Sequence, residues 1–360
     1  MSLERRIEEL AREHGATAAG FAARERLPAV PSADPDFLLP GARSLVSIMV
    51  HYDAGIVADY LAKRDAEALR VHELALYRRL HDGAGAVATL LESEGHAAVA
   101  AQANLDYRYK RKPAYRWVPQ GPRQALVDWL ARDGRQGLGW AKRAFARSLY
   151  RGPMRVSSWR LTPSFAHRYA AVAAGLGTIG WSGNVLHPDH GARVLFNTVL
   201  TNAELAQSAM LDATLCDGCR LCASACQSGF IRTREADRVS VGGREQVHNR
   251  KASNLRCVMV CGGFSGQSRD LGWSTWCQGR VELPERDEEL QACWDGLLRS
   301  SLGSRNHASV AFATMAHHAE HGFVHRDEQR FGASCGYCQY VCAPRRGERR
   351  ALWEALSSAG

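Results

Sequence analysis

The chain lacks an uninterrupted apolar run at its N-terminus, where charged and small apolar residues alternate over residues 1–22. That absence argues against a secretory signal peptide or a membrane span there, so we expect a cytoplasmic protein with no membrane partner. Internal repeats and low-complexity tracts are also lacking. The 46% hydrophobic and 23% charged residues are ordinary for a soluble globular protein, and 360 residues suit two domains.

Cysteine, in contrast, is abundant, with eleven in the chain. One run, Cys216-x-x-Cys219-x-x-Cys222-x-x-x-Cys226, has the spacing of bacterial ferredoxins. A second run, Cys335-x-x-Cys338-x-x-x-Cys342, lies far downstream. In a chain without an export signal, this spacing indicates reduced thiolate ligands rather than disulfides.

The two runs predict two 4Fe-4S clusters. In the ferredoxin arrangement, three closely spaced thiolates hold one cube and the fourth reaches a second cube. The first cube would thus take Cys216, Cys219, Cys222 and, returning from the far run, Cys342, while Cys226, Cys335 and Cys338 serve the second. The place of the eighth ligand is open among Cys257, Cys261, Cys277 and Cys293. A pair of zinc knuckles is the alternative, but this arrangement is unusual for zinc.

Positive charge is concentrated in residues 103–160. This segment carries fourteen Lys and Arg against three Asp, a net charge of +11, whereas the whole chain carries +9. Such a local excess indicates an anionic partner, for example RNA, a phosphorylated substrate or an acidic electron donor. Tyr107, Tyr109, Tyr115 and Trp117 alternate with the cations, which suits stacking and phosphate contact on RNA. A solvated insertion with aromatic residues packed beneath it is the alternative.

Hydrophobic periodicity predicts the main secondary-structure elements. Helices are expected at 4–14, 66–94, 165–174, 288–302 and 307–321, and strands at 44–51, 97–103 and 194–201. The run Ser44–His51 is continuously apolar, which is typical of a strand covered on both faces.

A glycine-rich turn follows the helix predicted at 165–174. Its sequence, Gly175-x-Gly177-x-x-Gly180, matches the dinucleotide fingerprint formally. That motif follows a strand and opens a helix, whereas here a helix precedes it, so a nicotinamide site is not expected. We expect instead that the glycines let the backbone turn tightly and approach a flat, bulky group.

The cluster run, the glycine turn and the strand between them resemble those of the epoxyqueuosine reductase family and its relatives, the reductive dehalogenases. The resemblance is strongest over Phe165–Phe230 and returns at Asn254–Cys257 and Cys335–Pro344. Family members place an isolated cysteine after a short basic-polar lead, and the sequence NLRC at 254–257 is similar to it. The resemblance therefore implies Cys257 as the eighth cluster ligand.

The resemblance also implies the fold and the second cofactor. The fold class is α+β, in which an α/β cobalamin-binding domain (1–205, with the basic insertion 103–160) precedes a ferredoxin-like two-cluster domain (206–360, with an insertion at 262–334). Base-off cobalamin would lie between the domains, with one cube close to the cobalt and the other near the surface. Its expected contacts are at the glycine turn: Gly175, Gly177, Gly180, Ser182 and Asn184.

The chain departs from the family pattern in several places. Gln227 stands where a proline is expected after Cys226, and the interval from Cys257 to Cys335 is long. Because the sequence stops soon after Cys342, we also expect no helical-repeat tail for tRNA. The family's acid, an Asp shortly before the helix that leads to the glycine turn, has no counterpart in Leu161–Ser164.

Three residues are candidates for the missing proton donor. Asp106 would keep the role if the basic segment is an insertion placed directly after it. Otherwise Tyr169 or His187 replaces the acid, and Tyr169 is chemically reasonable because dehalogenase-type sites use a tyrosine.

These features predict a cobalamin-dependent iron–sulfur reductase that removes an oxygen, a halogen or a similar leaving group from a small-molecule substrate. Anionic substrates are among the candidates. Two cubes would relay single electrons from a low-potential donor such as flavodoxin or ferredoxin, and the corrinoid would carry the difficult chemistry. The alternatives are an epoxyqueuosine reductase acting on tRNA, a reductive dehalogenase, and a corrinoid-free electron carrier with two clusters. A twin-arginine export signal, expected for a dehalogenase, is lacking.

Overall fold

The computed structural model describes residues 1–103, 108, 162–261, 265–266, 268, 272–276, 281–301 and 335–358. Asp106, Cys277, nearly all of the basic segment and the helix predicted at 307–321 lie outside these residues, as does the side chain of Cys261. None of the described helices is long and apolar enough to cross a membrane.

The described residues form a mixed α+β structure, as the sequence predicts. The helices are α1 Leu3–Glu13, α2 Ala54–Leu61, α3 Ala66–Ser93, α4 His167–Ala173, α5 Leu221–Ser224, α6 Asn254–Cys261, α7 Leu290–Ser301, α8 Tyr337–Tyr340 and α9 Arg346–Ser358. The strands are β1 Ala18–Ala23, β2 Ser44–His51, β3 Ala98–Ala100, β4 Thr178–Ile179, β5 Val185–Leu186, β6 Val194–Thr201, β7 Ala236–Val241 and β8 Arg244–Asn249.

The main sheet has the strand order β1-β2-β6-β3, and every neighbouring pair is antiparallel. Strand β2 is buried except at His51. Val46 and Ile48 belong to the core beneath α1 and α3, whereas Leu45 and Met49 belong to the core beneath α4. A continuous apolar run therefore forms an antiparallel strand here, because helices cover both faces of the sheet.

Helix α4 is short and rich in alanine because it packs closely on the sheet. Ala170, Ala171 and Ala173 are fully buried. A methyl group at Gly20 in β1 would lie only 2.3 Å from the carbonyl oxygen of Ala174. Small residues on both sides thus let the helix end against β1, and this position determines where the glycine turn begins.

The glycine turn forms a small hairpin from β4 and β5. The Gly180 N–H donates a 2.9 Å hydrogen bond to the Asn184 carbonyl, which closes the hairpin. The expected order is confirmed: a helix precedes the glycines and a strand follows them, the reverse of a dinucleotide site.

One hydrophobic core extends across residue 205, where the sequence predicts a domain boundary. Side chains of α8 and α9, among them Tyr337 and Leu356, pack in the same cluster as Val46 and Leu80. The ring of Tyr60 in α2 also stacks on Tyr337, with the centroids 5.4 Å apart. The boundary stays a prediction, and the second cysteine run is anchored on the N-terminal sheet.

Most predicted elements are confirmed. The strands expected at 44–51 and 194–201 match β2 and β6 residue for residue. The helices expected at 4–14, 66–94, 165–174 and 288–302 match α1, α3, α4 and α7 to within about two residues at either end. The strand expected at 97–103 is wrong in length, because β3 pairs with β6 only over Ala98–Ala100.

Candidate iron–sulfur site

The two cysteine segments repeat one local structure. In each, one Cys-x-x-Cys pair, Cys219 with Cys222 or Cys335 with Cys338, has its second residue in the left-handed conformation: Arg220, with φ of 62°, and Gly336, with φ of 97°. A four-residue helix follows, α5 containing Cys222 and α8 containing Cys338. The left-handed conformation is unfavourable for arginine. The guanidinium of Arg220 lies over the Trp181 ring, 3.3 Å from its centroid, and this contact holds it there.

The structure brings the thiols predicted for the first cube together. Cys216, Cys219, Cys222 and Cys342 line one small cavity. Burial raises the pKa of Cys222, and the charges of Cys342, Cys216 and Cys219 raise it further. Burial also raises the pKa of Cys342 to about 12, although Arg349 opposes that rise. Thiols placed in this way become ligands when iron replaces their protons.

The thiols predicted for the second cube form another group. Burial raises the pKa of Cys338, and the charges of Cys226, Cys335 and Cys257 add to the rise. Burial also raises the pKa of Cys226, and the charges of Cys335 and Cys257 raise it further. Helix α6 therefore delivers Cys257 to this group, although its role as the eighth ligand stays a prediction. By contrast, burial alone raises the pKa of Cys293.

Within the described residues, no three His, Cys, Asp or Glu side chains lie close enough to bind a single metal ion. A cube spreads its four thiolates over different irons, so its ligands stand further apart than those around one zinc ion, where each Zn–S bond is about 2.3 Å. The two groups of thiols have the composition that the cubes require.

Hydrogen-bond donors point at the sulfurs of both groups. Such donors stabilise thiolates and tune the potential of a bound cluster, so these surroundings fit two 4Fe-4S cubes. The donor and sulfur pairs are Trp181 N with Cys216 at 3.3 Å, Ile231 N with Cys226 at 3.4 Å, Arg349 Nη1 with Cys219 at 3.5 Å, and Asn184 Nδ2 with Cys338 at 4.0 Å.

The spaces beside the three glycines of the turn are filled by the chain itself. A Cβ atom at Gly175 would lie 2.1 Å from the Ala209 carbonyl oxygen, and one at Gly177 would lie 2.3 Å from the Leu186 carbonyl oxygen. At Gly180 it would meet the Leu186 side chain at 2.3 Å. Packing within the chain therefore requires these glycines, and they do not border free space for a corrin.

The other two expected cobalamin contacts lie in the same hairpin. Ser182 is buried, and its hydroxyl accepts a 3.2 Å hydrogen bond from the Asn184 N–H. The Asn184 amide points toward the second group of thiols. The described residues thus provide no open corrin surface at the turn, and contact with cobalamin at these positions stays a prediction.

Tyr169 lies in α4 beside Arg168, a cation that sequence reasoning missed, and a second such cation, Lys251, lies near Arg168. Its hydroxyl accepts a 2.8 Å hydrogen bond from Arg168 Nη2. Arg168 and Lys251 both border Gly183, where an added Cβ would lie 3.8 Å from Arg168 Nη1 and 3.1 Å from Lys251 Nζ. No local pattern in the sequence marks Arg168 as the partner of Tyr169 or places Lys251 near Arg168.

The ammonium group of Lys251 is enclosed, although the residue keeps some exposed surface. Burial lowers the pKa of Lys251 to about 8, and Arg168 lowers it too, while Cys257, Cys338 and Cys226 oppose the change. Arg168 thus contacts Tyr169, and Lys251 interacts both with Arg168 and with the second group of thiols.

His187 lies in a separate stack of histidines. Its ring centroid is 5.1 Å from that of His190, which is 4.0 Å from that of His51. Burial lowers the pKa of His187. The segment that follows reaches the first group of thiols, because the Ala192 N–H donates to the Cys342 carbonyl at 2.8 Å. Tyr169 and His187 therefore belong to separate surroundings: Tyr169 contacts Arg168, whereas His187 stacks on His190.

No protein-family model matches the chain, and no curated protein matches it. Among solved structures, it is similar to an epoxyqueuosine reductase crystallised with an epoxyqueuosine-modified tRNA-Tyr stem loop, with 14% identity, a TM-score of 0.39, and coverage of 74% of this chain and 59% of that one. A catabolic reductive dehalogenase matches with 17% identity, a TM-score of 0.45, and coverage of 84% and 37%. An epoxyqueuosine reductase from Streptococcus thermophilus matches with 13% identity, a TM-score of 0.39 and coverage of 99% of both chains.

These neighbours come from the same two families that the sequence resembles. The chain spans 59% of the first reductase and 37% of the dehalogenase. At TM-scores below 0.5 the structural similarity is weak, so residue roles in those enzymes are not transferred to this chain.

Proposed function

We propose that this protein is an iron–sulfur oxidoreductase that holds two 4Fe-4S cubes and reduces a small-molecule substrate with electrons from a flavodoxin or ferredoxin. The observation that carries the proposal is the gathering of eight thiols into two groups of four. They come from three distant segments, 216–226, 257 and 335–342. A fold that brings cysteines together in this way is typical of two-cluster electron transfer.

The chain's own residues have distinct roles in this proposal. When bound, the cubes accept and pass on electrons one at a time. Trp181 and Ile231 hold ligand sulfurs through their backbone N–H groups. Tyr169 is the proposed proton donor, because the Arg168 guanidinium on its hydroxyl would stabilise the negative charge left after proton transfer. Arg168 and Lys251 together suit an anionic substrate.

Iron and sulfide analysis tests the proposal directly. After anaerobic reconstitution, the natural chain should hold about eight irons and eight sulfides. About four of each, or stoichiometric zinc, would contradict the two-cube assignment.

We also propose, from the sequence resemblance, that the protein binds base-off cobalamin and removes an oxygen, a halogen or a similar group. The absorption spectrum of protein supplied with cobalamin, taken after gel filtration, tests this step. Retained corrinoid supports the reductase. Protein that holds eight irons but no corrinoid would instead be a double-cluster electron carrier.

The charge of residues 103–160 favours a second candidate, an epoxyqueuosine reductase acting on tRNA. A surface that neutralises six or more phosphates loses about three orders of magnitude in affinity between 50 and 200 mM salt. We expect no tight tRNA binding, because the family's aspartate is not at its usual place in the sequence. Submicromolar binding of queuosine-family tRNA at roughly 150 mM salt, abolished by changing Lys110, Arg111 and Lys112 together to Glu, would contradict this expectation and favour the tRNA candidate.

A further inference from the structure

Arg349 places a buried positive charge against the first group of thiols. Its Nη1 donates a 3.5 Å hydrogen bond to the sulfur of Cys219. The same guanidinium binds both carboxylate oxygens of Asp217, at 2.7 and 3.1 Å, and reaches the Pro344 carbonyl at 3.5 Å. The side chain is only 6% exposed, and its Nε has no hydrogen-bond partner within the described residues.

The position of Arg349 is fixed by the helix that carries it. Leu352 and Leu356 of α9 pack in the main core. Glu348, the preceding residue, forms a 2.7 Å ion pair with the buried Arg193. The guanidinium is therefore a permanent part of the wall of the first site, unlike a surface arginine that moves freely in water.

The donors described at the second group are neutral. The Ile231 backbone N–H reaches Cys226, and the Asn184 amide approaches Cys338. Only at Cys219 does a described hydrogen bond to a cluster sulfur come from a side chain with a full positive charge. Lys251 also brings positive charge near Cys257, Cys338 and Cys226 of the second group. What distinguishes the first site is that its cation donates a described hydrogen bond to a ligand sulfur.

We propose that Arg349 raises the reduction potential of the first cube selectively. Reduction adds negative charge to a cube, and a fixed guanidinium bound to one of its sulfurs stabilises the reduced form more than the oxidised form. Solvent screens this interaction little because the side chain is buried. The negative charge of the Asp217 carboxylate, which binds the same guanidinium, offsets part of this rise in potential. The inference depends on the proposed function only in requiring that the first cube is present.

Potentiometric titration of the reconstituted full-length protein, followed by electron paramagnetic resonance, tests the proposal. Arg349→Gln should lower the equilibrium constant for reduction of one cube about tenfold, which is 59 mV for a one-electron step, and leave the other cube unchanged. Arg349→Lys, which keeps the charge, should give a smaller shift. Arg350→Gln is the matched control, because this neighbouring arginine is exposed and should leave both potentials unchanged.

Removing the carboxylate provides an independent measurement of opposite sign. Asp217→Asn should raise the reduction potential of the same cube. This variant tests the proposal even if Arg349→Gln fails to retain iron. The proposal is overturned if Arg349→Gln holds eight irons with both potentials unchanged, if both cubes shift equally, or if Asp217→Asn has no effect. Failure of the proposed function would appear differently, as fewer than eight irons in the natural chain.

Discussion

The backbone N–H of Trp181 donates a 3.3 Å hydrogen bond to the sulfur of Cys216. Trp181 follows Gly180 directly, and Asn184, at the other end of the same turn, lies 4.0 Å from the sulfur of Cys338. The Trp181 indole also donates to the Arg232 carbonyl at 2.8 Å. The glycine turn therefore links helix α4 to both groups of thiols, and its small residues serve that packing.

Gly177→Ala should destabilise the protein. The added methyl would lie 2.3 Å from the Leu186 carbonyl oxygen and 2.6 Å from Val185 Cγ1, so the hairpin must shift. We expect a loss of about 1–3 kcal/mol in the free energy of unfolding, measured with denaturant. Gly85→Ala is the control, since this exposed glycine in α3 has nothing within 4 Å of an added Cβ and should gain roughly 0.5–1 kcal/mol. Equal stability of Gly177→Ala and the natural chain would contradict the packing argument.

Cys257→Ser should remove one cube and spare the other. Its thiol shares surroundings with Cys226 and Cys338, so iron in the reconstituted protein should fall from about eight to about four per chain. Cys293→Ser should retain the full iron content, because no cysteine contributes to the pKa shift of Cys293. Cys261→Ala is expected from the sequence resemblance to retain both cubes. Full iron content in Cys257→Ser would assign the eighth ligand elsewhere.

The two central strands of the main sheet were predictable because their sequences are long and apolar, whereas β1 was not predicted and β3 was predicted too long. Strands β2 and β6 each run for eight residues, and their burial follows directly from that pattern. Strands β4 and β5 have two residues each, too few to show a period. The hairpin was therefore visible only as a run of glycines, whose packing partner Ala209 lies far along the chain.

The cysteine groups were predictable because ligand spacing limits which thiols can reach one cube. The charged side chains around the cysteines were not predictable from the sequence. Arg349 and Cys219 are 130 residues apart, and ion pairs formed by tertiary folding leave no local periodicity. Lys251 and Arg168, 83 residues apart, both lie next to Gly183 in the folded chain. A sequence can thus indicate the ligands of such a site and miss the residues that tune it.

Glu73→Gln should become more stable relative to the natural chain as pH rises. The carboxyl group of Glu73 lies inside the protein although the residue keeps some exposed surface, and Tyr52 donates a 2.6 Å hydrogen bond to it. Burial raises the pKa of Glu73 above its ordinary 4.5, against the opposing hydrogen bonds from Tyr52 and Tyr340. The folded state therefore favours the protonated form, and that contribution to stability is lost as pH rises above 4.5.

Glutamine cannot ionise, so the difference in Tm between Glu73→Gln and the natural chain should grow as pH rises above 4.5. Glu92→Gln, at an exposed position of the same helix, is the control and should give a difference that does not vary with pH. A constant difference for Glu73→Gln as well would show that its carboxyl group is not shielded from water.

His190→Gln should reduce the sensitivity of the protein to acid. Burial lowers the pKa of His190 from 6.5 to about 4, and the charges of His51 and His187 lower it too. Protonation therefore favours the unfolded chain, so stability that is present above pH 6.5 is lost as pH falls toward 4. The charged and titratable groups facing the ring are His51, His187, Asp189 and Arg193.

Because the His190 ring is partly exposed, we expect its protonation to lower the free energy of unfolding by on the order of 1 kcal/mol. Loss of the stack on His51 should shift Tm of the variant equally at every pH, whereas the slope of Tm between about pH 7 and 5 should become shallower. His81→Gln, at an exposed position of α3, should keep the natural slope. An unchanged slope in His190→Gln would place the acid-sensitive groups elsewhere in the protein.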